Sequence, residues 1–188
     1  MDEVVLARHG ESEASAKGIV GGDTPLTAAG RAQAAALGSE LAGVSFDVCL
    51  TSRSARARET AAIALAGRDV LCAVVDELGD IDFGRFEGRP LDEYRAWIAA
   101  HEPVDRPPGG ESRVATLRRF CRAYRAVLAR AESRVLVVAH GLTLTSLRDD
   151  PPRPLVTGAA YGSWLRLTRA ELEQAVARVE RWCEAPSW

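Results

Sequence analysis

The sequence predicts an α/β protein in which helices cover a mainly parallel sheet. Short apolar runs suit strands that are buried on both faces, and longer segments of helical periodicity lie between them. The 188 residues are 47% hydrophobic and 27% charged, which is typical of a soluble chain with a substantial core. We therefore expect one domain over residues 1–188.

Strands and helices alternate along most of the chain. We expect strands at residues 4–7, 46–50, 70–75, 135–139 and 163–168, and helices at residues 28–42, 59–66, 91–100, 112–130 and 142–147. Thr27 suits the N-cap of the first helix, and residues 12–23 are small and polar enough for a loop. Residues 171–183 fit either a helix or an extended segment.

Residues 76–110 interrupt this alternation. The segment is rich in glycine and proline and holds one short predicted helix. About thirty-five residues rarely hold a core alone, so we interpret the segment as an excursion from the sheet. Excursions of this kind commonly cover active sites.

The composition argues against several classes of function. A formal net charge of −2 gives no broad basic field for nucleic acid, and no segment resembles a signal peptide or a membrane span. We expect a cytoplasmic protein that binds neither nucleic acid nor membrane. The four cysteines are widely spaced and form no metal motif, and the strand-like runs around Cys49 and Cys72 predict buried thiols.

Cationic and imidazole side chains follow three predicted strands. Arg8 and His9 follow the first strand, Arg56 comes after the second, and His140 follows the strand at 135–139. In open α/β sheets, ligands bind at this edge. His9 alone suits a nucleophile, a general base, a metal ligand or a structural histidine, but two arginines and two histidines together favour a phosphoryl site.

Phosphoryl transfer at such a site needs a nucleophile and a proton donor. A neutral imidazole nitrogen can attack phosphorus, and a protonated second histidine can add a donor to the phosphoryl oxygens. The leaving alkoxide needs a carboxylic acid nearby. Candidate acids cluster in one stretch of the excursion: Asp76, Glu77, Asp80, Asp82 and Glu87.

Six segments, in order, resemble the histidine phosphatase superfamily. They lie at residues 8–12 (Arg-His-Gly-Glu-Ser), 25–33, 51–61, 82–88, 109–112 (Gly-Gly-Glu-Ser) and 138–141 (Val-Ala-His-Gly). The resemblance implies a three-layer αβα sandwich with the phosphoglycerate-mutase-like fold. The segment at 81–88 is similar to the α-ribazole phosphatases, a small-phosphatase branch of this superfamily.

The resemblance assigns roles to most of these residues. It implies that His9 is the phosphorylated nucleophile and that Arg8, Arg56 and His140 bind and stabilise the phosphoryl group, with Gly141 beside the substrate. It implies no metal and no cofactor.

This sequence departs from the family pattern at three places. Where the family usually has the acidic glutamate, this chain has Asp80, so we expect Asp80 to be the proton donor, with Glu77 as its main rival and Asp82 as a third candidate. Where the family often has an asparagine, Ser15 lies nearby and offers a hydroxyl contact. The linker after His140 is shortened at residues 149–154.

The resemblance implies metal-independent hydrolysis of a small phosphorylated metabolite, with α-ribazole 5′-phosphate as one candidate. Three alternatives stay open: a phosphotransferase of the phosphoglycerate mutase type, a metal hydrolase, and an inactive module that binds a phosphorylated ligand. We expect the third histidine, His101, to lie in solvent. The sequence leaves the oligomeric state open, with a homodimer as one possibility.

Overall fold

The centre of the protein is a five-stranded sheet. The structure is a computed structural model and describes residues 1–149 and 158–188. The strands are β1 (Glu3–Arg8), β2 (Val48–Thr51), β3 (Leu71–Val74), β4 (Arg134–Ala139) and β5 (Trp164–Thr168). They lie in the order β3-β2-β4-β1-β5, and all neighbours are parallel except β5, which is antiparallel to β1.

Seven α-helices surround this sheet in the described part of the chain. They are α1 (Glu13–Ala16), α2 (Ala28–Glu40), α3 (Ala55–Ala64), α4 (Leu91–Ala99), α5 (Arg113–Leu128), α6 (Gly141–Arg148) and α7 (Arg169–Glu184). None of the helices in residues 1–149 and 158–188 has the length and apolar character needed to cross a membrane.

Alternate residues of the central strands face two different cores. Val4 and Leu6 of β1 pack in a cluster with α5 and α7, whereas Val5 and Ala7 pack in a second cluster with α2 and α3. All four side chains are fully buried, as expected for a strand covered on both faces. The predicted αβα sandwich with a mainly parallel sheet is therefore confirmed.

Several predicted boundaries differ from the structure. Residues 12–23 are not entirely loop, because Ser12 and Ser15 form a capping box around the single turn of α1. Helix α3 begins at Ala55, before the predicted start, since the Ala55 amide donates to Asp23 Oδ1 at 2.6 Å. The tail is helix α7, which starts in a capping box between Thr168 and Glu171.

The prediction that Cys72 is buried was wrong. Strand β3 is at the edge of the sheet and its side chains are mostly exposed, with Leu71 at 74%. Cys72 is exposed, whereas Cys49 on β2 is buried as expected. Most of the shortened linker at residues 149–154 lies outside the described residues.

The excursion at residues 76–110 forms a small apolar cluster together with Val20, which comes from the loop after α1. It contains two short 3-10 turns and α4, and its cluster consists of Val20, Ile81, Phe83, Phe86, Tyr94 and Ile98. His101 follows α4 and is half-buried, in contrast to the expected solvated position. Its ring stacks on Trp97 with 4.2 Å between ring centroids, and its Nδ1 donates to the Trp97 carbonyl.

Candidate active site

The carboxyl ends of β1, β4 and β2 meet because these strands are neighbours in the sheet. Arg8 ends β1 and His9 follows it, His140 follows β4, and Ser52 follows β2. Arg56 comes from the first turn of α3, just beyond β2. The topology therefore brings the predicted histidines and arginines to one point.

His9 is almost fully buried, with 4% of its surface exposed. Its Nδ1 lies 2.6 Å from the Gly10 carbonyl oxygen. A carbonyl oxygen can only accept, so the proton of the neutral ring is on Nδ1 and the lone pair is on Nε2. Nε2 is also the nitrogen that faces the Arg56 guanidinium, at 3.2 Å from Nε.

Arg56 links the other polar groups of the site. Besides its contact with His9, its guanidinium lies 3.3 Å from Nδ1 of His140 and 3.5 Å from a carboxylate oxygen of Asp80. A fourth contact, a hydrogen bond to the Gly22 carbonyl at 2.8 Å, anchors the guanidinium to the loop after α1. With 6% of its surface exposed, the side chain is held in place on every side.

His140 is completely buried and lies opposite His9, with 5.2 Å between ring centroids. Its Nε2 is 2.9 Å from the Ser52 hydroxyl, and its Nδ1 lies 3.4 Å from Asp80. The next residue, Gly141, begins α6 close to the Arg8 side chain, so that a Cβ at Gly141 would lie 3.3 Å from Nε of Arg8.

The three candidate acids have different positions. The Asp80 side chain is 27% exposed and lines the cavity beside Arg56 and His140. Glu77 and Asp82 are exposed, and neither lines this cavity. The Asp82 carboxylate accepts from the Gly84 amide instead, at 2.9 Å. Among these three, the structure places only Asp80 next to the histidines.

Tyr161 is a site residue that the sequence analysis missed. The Arg8 guanidinium stacks on its ring at 3.8 Å, a distance typical of a cation–π contact, and the ring lies 5.9 Å from that of His9. The Arg8 side chain also donates to the Ala159 carbonyl, while its buried Nε has no hydrogen-bond partner among the described residues. That unpaired donor suits an anionic ligand.

A cavity of about 130 Å³ lies over these residues. The ionisable part of its lining includes Arg8, His9, Arg56 and Asp80, and the apolar part consists of Ile19, Val20, Phe83 and Leu91. Ser15, for which the sequence predicts a substrate contact, also lines it, and its hydroxyl donates to the Ser12 carbonyl at 2.9 Å within the α1 capping box.

The backbone that carries His9 is packed directly against helix α2. A Cβ added to Gly10 would lie 2.3 Å from the Gly30 carbonyl oxygen, and one added to Gly30 would lie 2.0 Å from the Glu11 carbonyl oxygen. Both distances are far below van der Waals contact, so both positions require glycine. The Gly10 amide also donates to Thr60 Oγ1 at 3.0 Å, which joins the turn to α3.

Both histidines are neutral in the unliganded protein. Burial lowers the pKa of His9 well below 6.5, and the repulsion that a protonated His9 would meet from Arg56 and from a protonated His140 lowers it further. Burial, together with Arg56 and Arg8, does the same to the pKa of His140. A neutral His9 is the form that can act as a nucleophile.

These lowered pKa values predict that acid destabilises the fold. Below pH 6.5 both histidines are protonated in the unfolded chain but not in the folded protein. Unfolding therefore takes up protons, and the free energy of unfolding decreases as the pH is lowered. Each histidine contributes about 1.4 kcal/mol per pH unit in this range. We expect His140→Gln to have a smaller loss of unfolding free energy between pH 7.0 and 5.5 than wild type, measured by urea denaturation without phosphate. If wild type and His140→Gln lost the same unfolding free energy between pH 7.0 and 5.5, His140 would not be a neutral histidine with a lowered pKa in the folded protein.

Comparison with known proteins agrees with this architecture. Residues 4–150 match the model of the histidine phosphatase superfamily (branch 1). The match covers well over half of the chain and includes the turn with His9, the helix with Arg56, and His140. The protein belongs to the histidine phosphatase superfamily.

Individual relatives include both mutases and phosphatases. A 2,3-bisphosphoglycerate-dependent phosphoglycerate mutase of Methylobacterium sp. (strain 4-46) is 39% identical over 163 residues, 77% of each chain. An adenosylcobalamin/α-ribazole phosphatase of Salmonella typhimurium is 35% identical over 153 residues, 76% of this chain and 75% of the relative. The solved structure of the α-ribazole phosphatase from Shigella flexneri superimposes with a TM-score of 0.74 at 30% identity, covering 87% of this chain and 89% of that one.

Proposed function

We propose that this protein hydrolyses small phosphomonoesters through a phosphohistidine on His9. The observation that best supports the proposal is the position of Arg56, whose one guanidinium lies within 3.5 Å of His9, His140 and Asp80. A nucleophile, a second imidazole and a carboxyl group therefore surround one fixed positive charge. This arrangement suits a phosphoryl group in transfer.

In the first step, the lone pair on His9 Nε2 attacks phosphorus while the bond between phosphorus and the alcohol oxygen breaks. Arg8, Arg56 and His140 neutralise charge on the three non-bridging oxygens. Protonated Asp80 gives its proton to the departing oxygen, so that an alcohol leaves rather than an alkoxide. The negative charge of the bound phosphoryl group favours a protonated His140 at this stage.

In the second step, the Asp80 carboxylate takes a proton from a water molecule whose oxygen attacks phosphorus. The bond between phosphorus and His9 Nε2 breaks, inorganic phosphate is released, and His9 returns to its neutral form. Asp80 is again protonated and ready for the next substrate. None of these steps requires a metal ion.

The residues that line the cavity support the proposal that the substrate carries a single anionic group. Of the described residues that line it, the only cations are Arg8 and Arg56, and both are assigned here to the phosphoryl group. The apolar lining residues would then contact the alcohol part of the substrate, which favours an uncharged or aromatic group over a second carboxylate or phosphate. The names of the phosphatase relatives make α-ribazole 5′-phosphate a specific candidate.

An activity screen with and without a chelator tests the proposal. We expect release of inorganic phosphate from aryl phosphates and α-ribazole 5′-phosphate, weaker turnover of 3-phosphoglycerate, and no effect of EDTA. Loss of activity with EDTA and its recovery with zinc would indicate a metal hydrolase. Transfer of phosphate between 2,3-bisphosphoglycerate and a phosphoglycerate, without net hydrolysis, would indicate a mutase. Tight binding of one phosphorylated ligand without turnover of any would indicate an inactive binding module.

A further inference from the structure

Arg119 on helix α5 binds the backbone that precedes and includes Asp80. One terminal nitrogen donates to the carbonyl oxygens of Glu77 and Gly79, each at 2.8 Å, and the other donates to the carbonyl of Asp80 at 2.9 Å. Three carbonyls of a four-residue stretch are thus held by a single planar side chain. This stretch connects β3 to the apolar cluster of the excursion.

Glu111 holds Arg119 in this orientation. Its two carboxylate oxygens accept from Nε at 3.0 Å and from a terminal nitrogen at 2.6 Å, which is the two-point geometry of a strong arginine–carboxylate pair. The two side chains are only 15% and 22% exposed, so water screens the pair less than a surface ion pair. Burial opposes ionisation of Glu111, yet its hydrogen bonds with Arg119 outweigh this and lower its pKa.

The same carboxylate also fixes the chain beyond Asp80. Glu111 Oε2 accepts from the Asp82 amide at 3.2 Å. The Glu111–Arg119 pair therefore binds the backbone on both sides of Asp80, while neither Glu111 nor Arg119 itself lines the cavity.

We propose that Arg119 and Glu111 are positioning residues that set the distance between the Asp80 carboxyl group and the leaving oxygen. The proposal rests on the proposed role of Asp80 as proton donor. An aspartate is one methylene shorter than a glutamate, so its reach depends more on where the backbone is held. Displacements of about 1 Å in catalytic groups can cost about 10²-fold in rate.

The test compares substrates that differ in how much they need the acid. An alkyl phosphate needs a proton on its leaving oxygen, whereas 4-nitrophenyl phosphate needs little. We expect Arg119→Lys, which keeps the charge but cannot bind three carbonyls and Glu111 together, to lower kcat/KM about 10-fold or more for an alkyl phosphate. For 4-nitrophenyl phosphate we expect a loss of less than about threefold. Arg122→Lys is the matched control, since Arg122 is an exposed arginine one turn later on α5.

Glu111→Gln provides a second, milder variant in case Arg119→Lys folds poorly, and we expect the same selective loss. A double-mutant cycle with Asp80→Asn is the decisive measurement: in that background, Arg119→Lys should cause little further loss with the alkyl phosphate. The positioning role would be overturned if Arg119→Lys lowered kcat/KM equally for both substrates. It would also be overturned if Arg119→Lys caused its full loss of kcat/KM in the Asp80→Asn background. A wild-type protein that hydrolyses no phosphomonoester would instead refute the proposed function.

Discussion

His9→Gln is expected to lower kcat/KM at least about 10⁴-fold for every phosphomonoester that the wild type hydrolyses. The substitution removes the imidazole nitrogen that lies 3.2 Å from Nε of Arg56, and this nitrogen is the atom that would carry the phosphoryl group. Wild-type enzyme denatured at alkaline pH should retain label from a substrate with a radioactive phosphate, and this label should be released by acid but not by alkali. The variant should retain none.

His101→Gln is the matched control for this experiment. His101 lies after α4, stacked on Trp97, and does not line the cavity. Its replacement should leave both turnover and phosphoenzyme near wild-type levels. If His9→Gln kept turnover within about tenfold of wild type, the phosphohistidine mechanism would be wrong, whether or not the variant retained label.

Asp80→Asn is expected to lower activity much more for substrates with poor leaving groups than for substrates with good ones. For an alkyl phosphate we expect kcat/KM to fall by about 10²- to 10³-fold, because an amide cannot give a proton to the departing oxygen. For 4-nitrophenyl phosphate the loss should stay below about tenfold. The comparison uses kcat/KM because this parameter reports only the steps up to and including the first phosphoryl transfer, which is the step in which the leaving group departs.

Glu77→Gln tests the rival acid with the same pair of substrates. The Glu77 side chain is exposed and outside the cavity, and only its backbone carbonyl is bound by Arg119. We expect little change with either substrate. A selective loss with the alkyl phosphate in Glu77→Gln, and not in Asp80→Asn, would transfer the acid role to Glu77.

The sequence predicted the meeting of His9, Arg56 and His140 because their positions depend on strand order alone. Each follows an apolar run that reads as a buried strand, and the ends of neighbouring parallel strands lie at one edge of the sheet. The choice of Asp80 came from the resemblance rather than from geometry. Its contacts with Arg56 and His140 could not be derived from spacing in a segment without regular structure.

Contacts between distant parts of the chain account for what the sequence did not predict. Tyr161 stacks on Arg8 across more than 150 residues, and no periodic pattern marks it. The early start of α3 depends on Asp23, which caps it from another loop. Cys72 was expected to be buried because an apolar run does not reveal that its strand is at the edge of the sheet.

The close packing of Gly10 against Gly30 has a consequence for transferring this site to another protein. The nucleophile is supported by two stretches of main chain in direct contact, with no side chain between them. Grafting His9, Arg56, Asp80 and His140 onto a different scaffold would therefore reproduce the functional groups without this support. A designer would have to include the first turns of α2 as part of the site, although none of its atoms would meet the substrate.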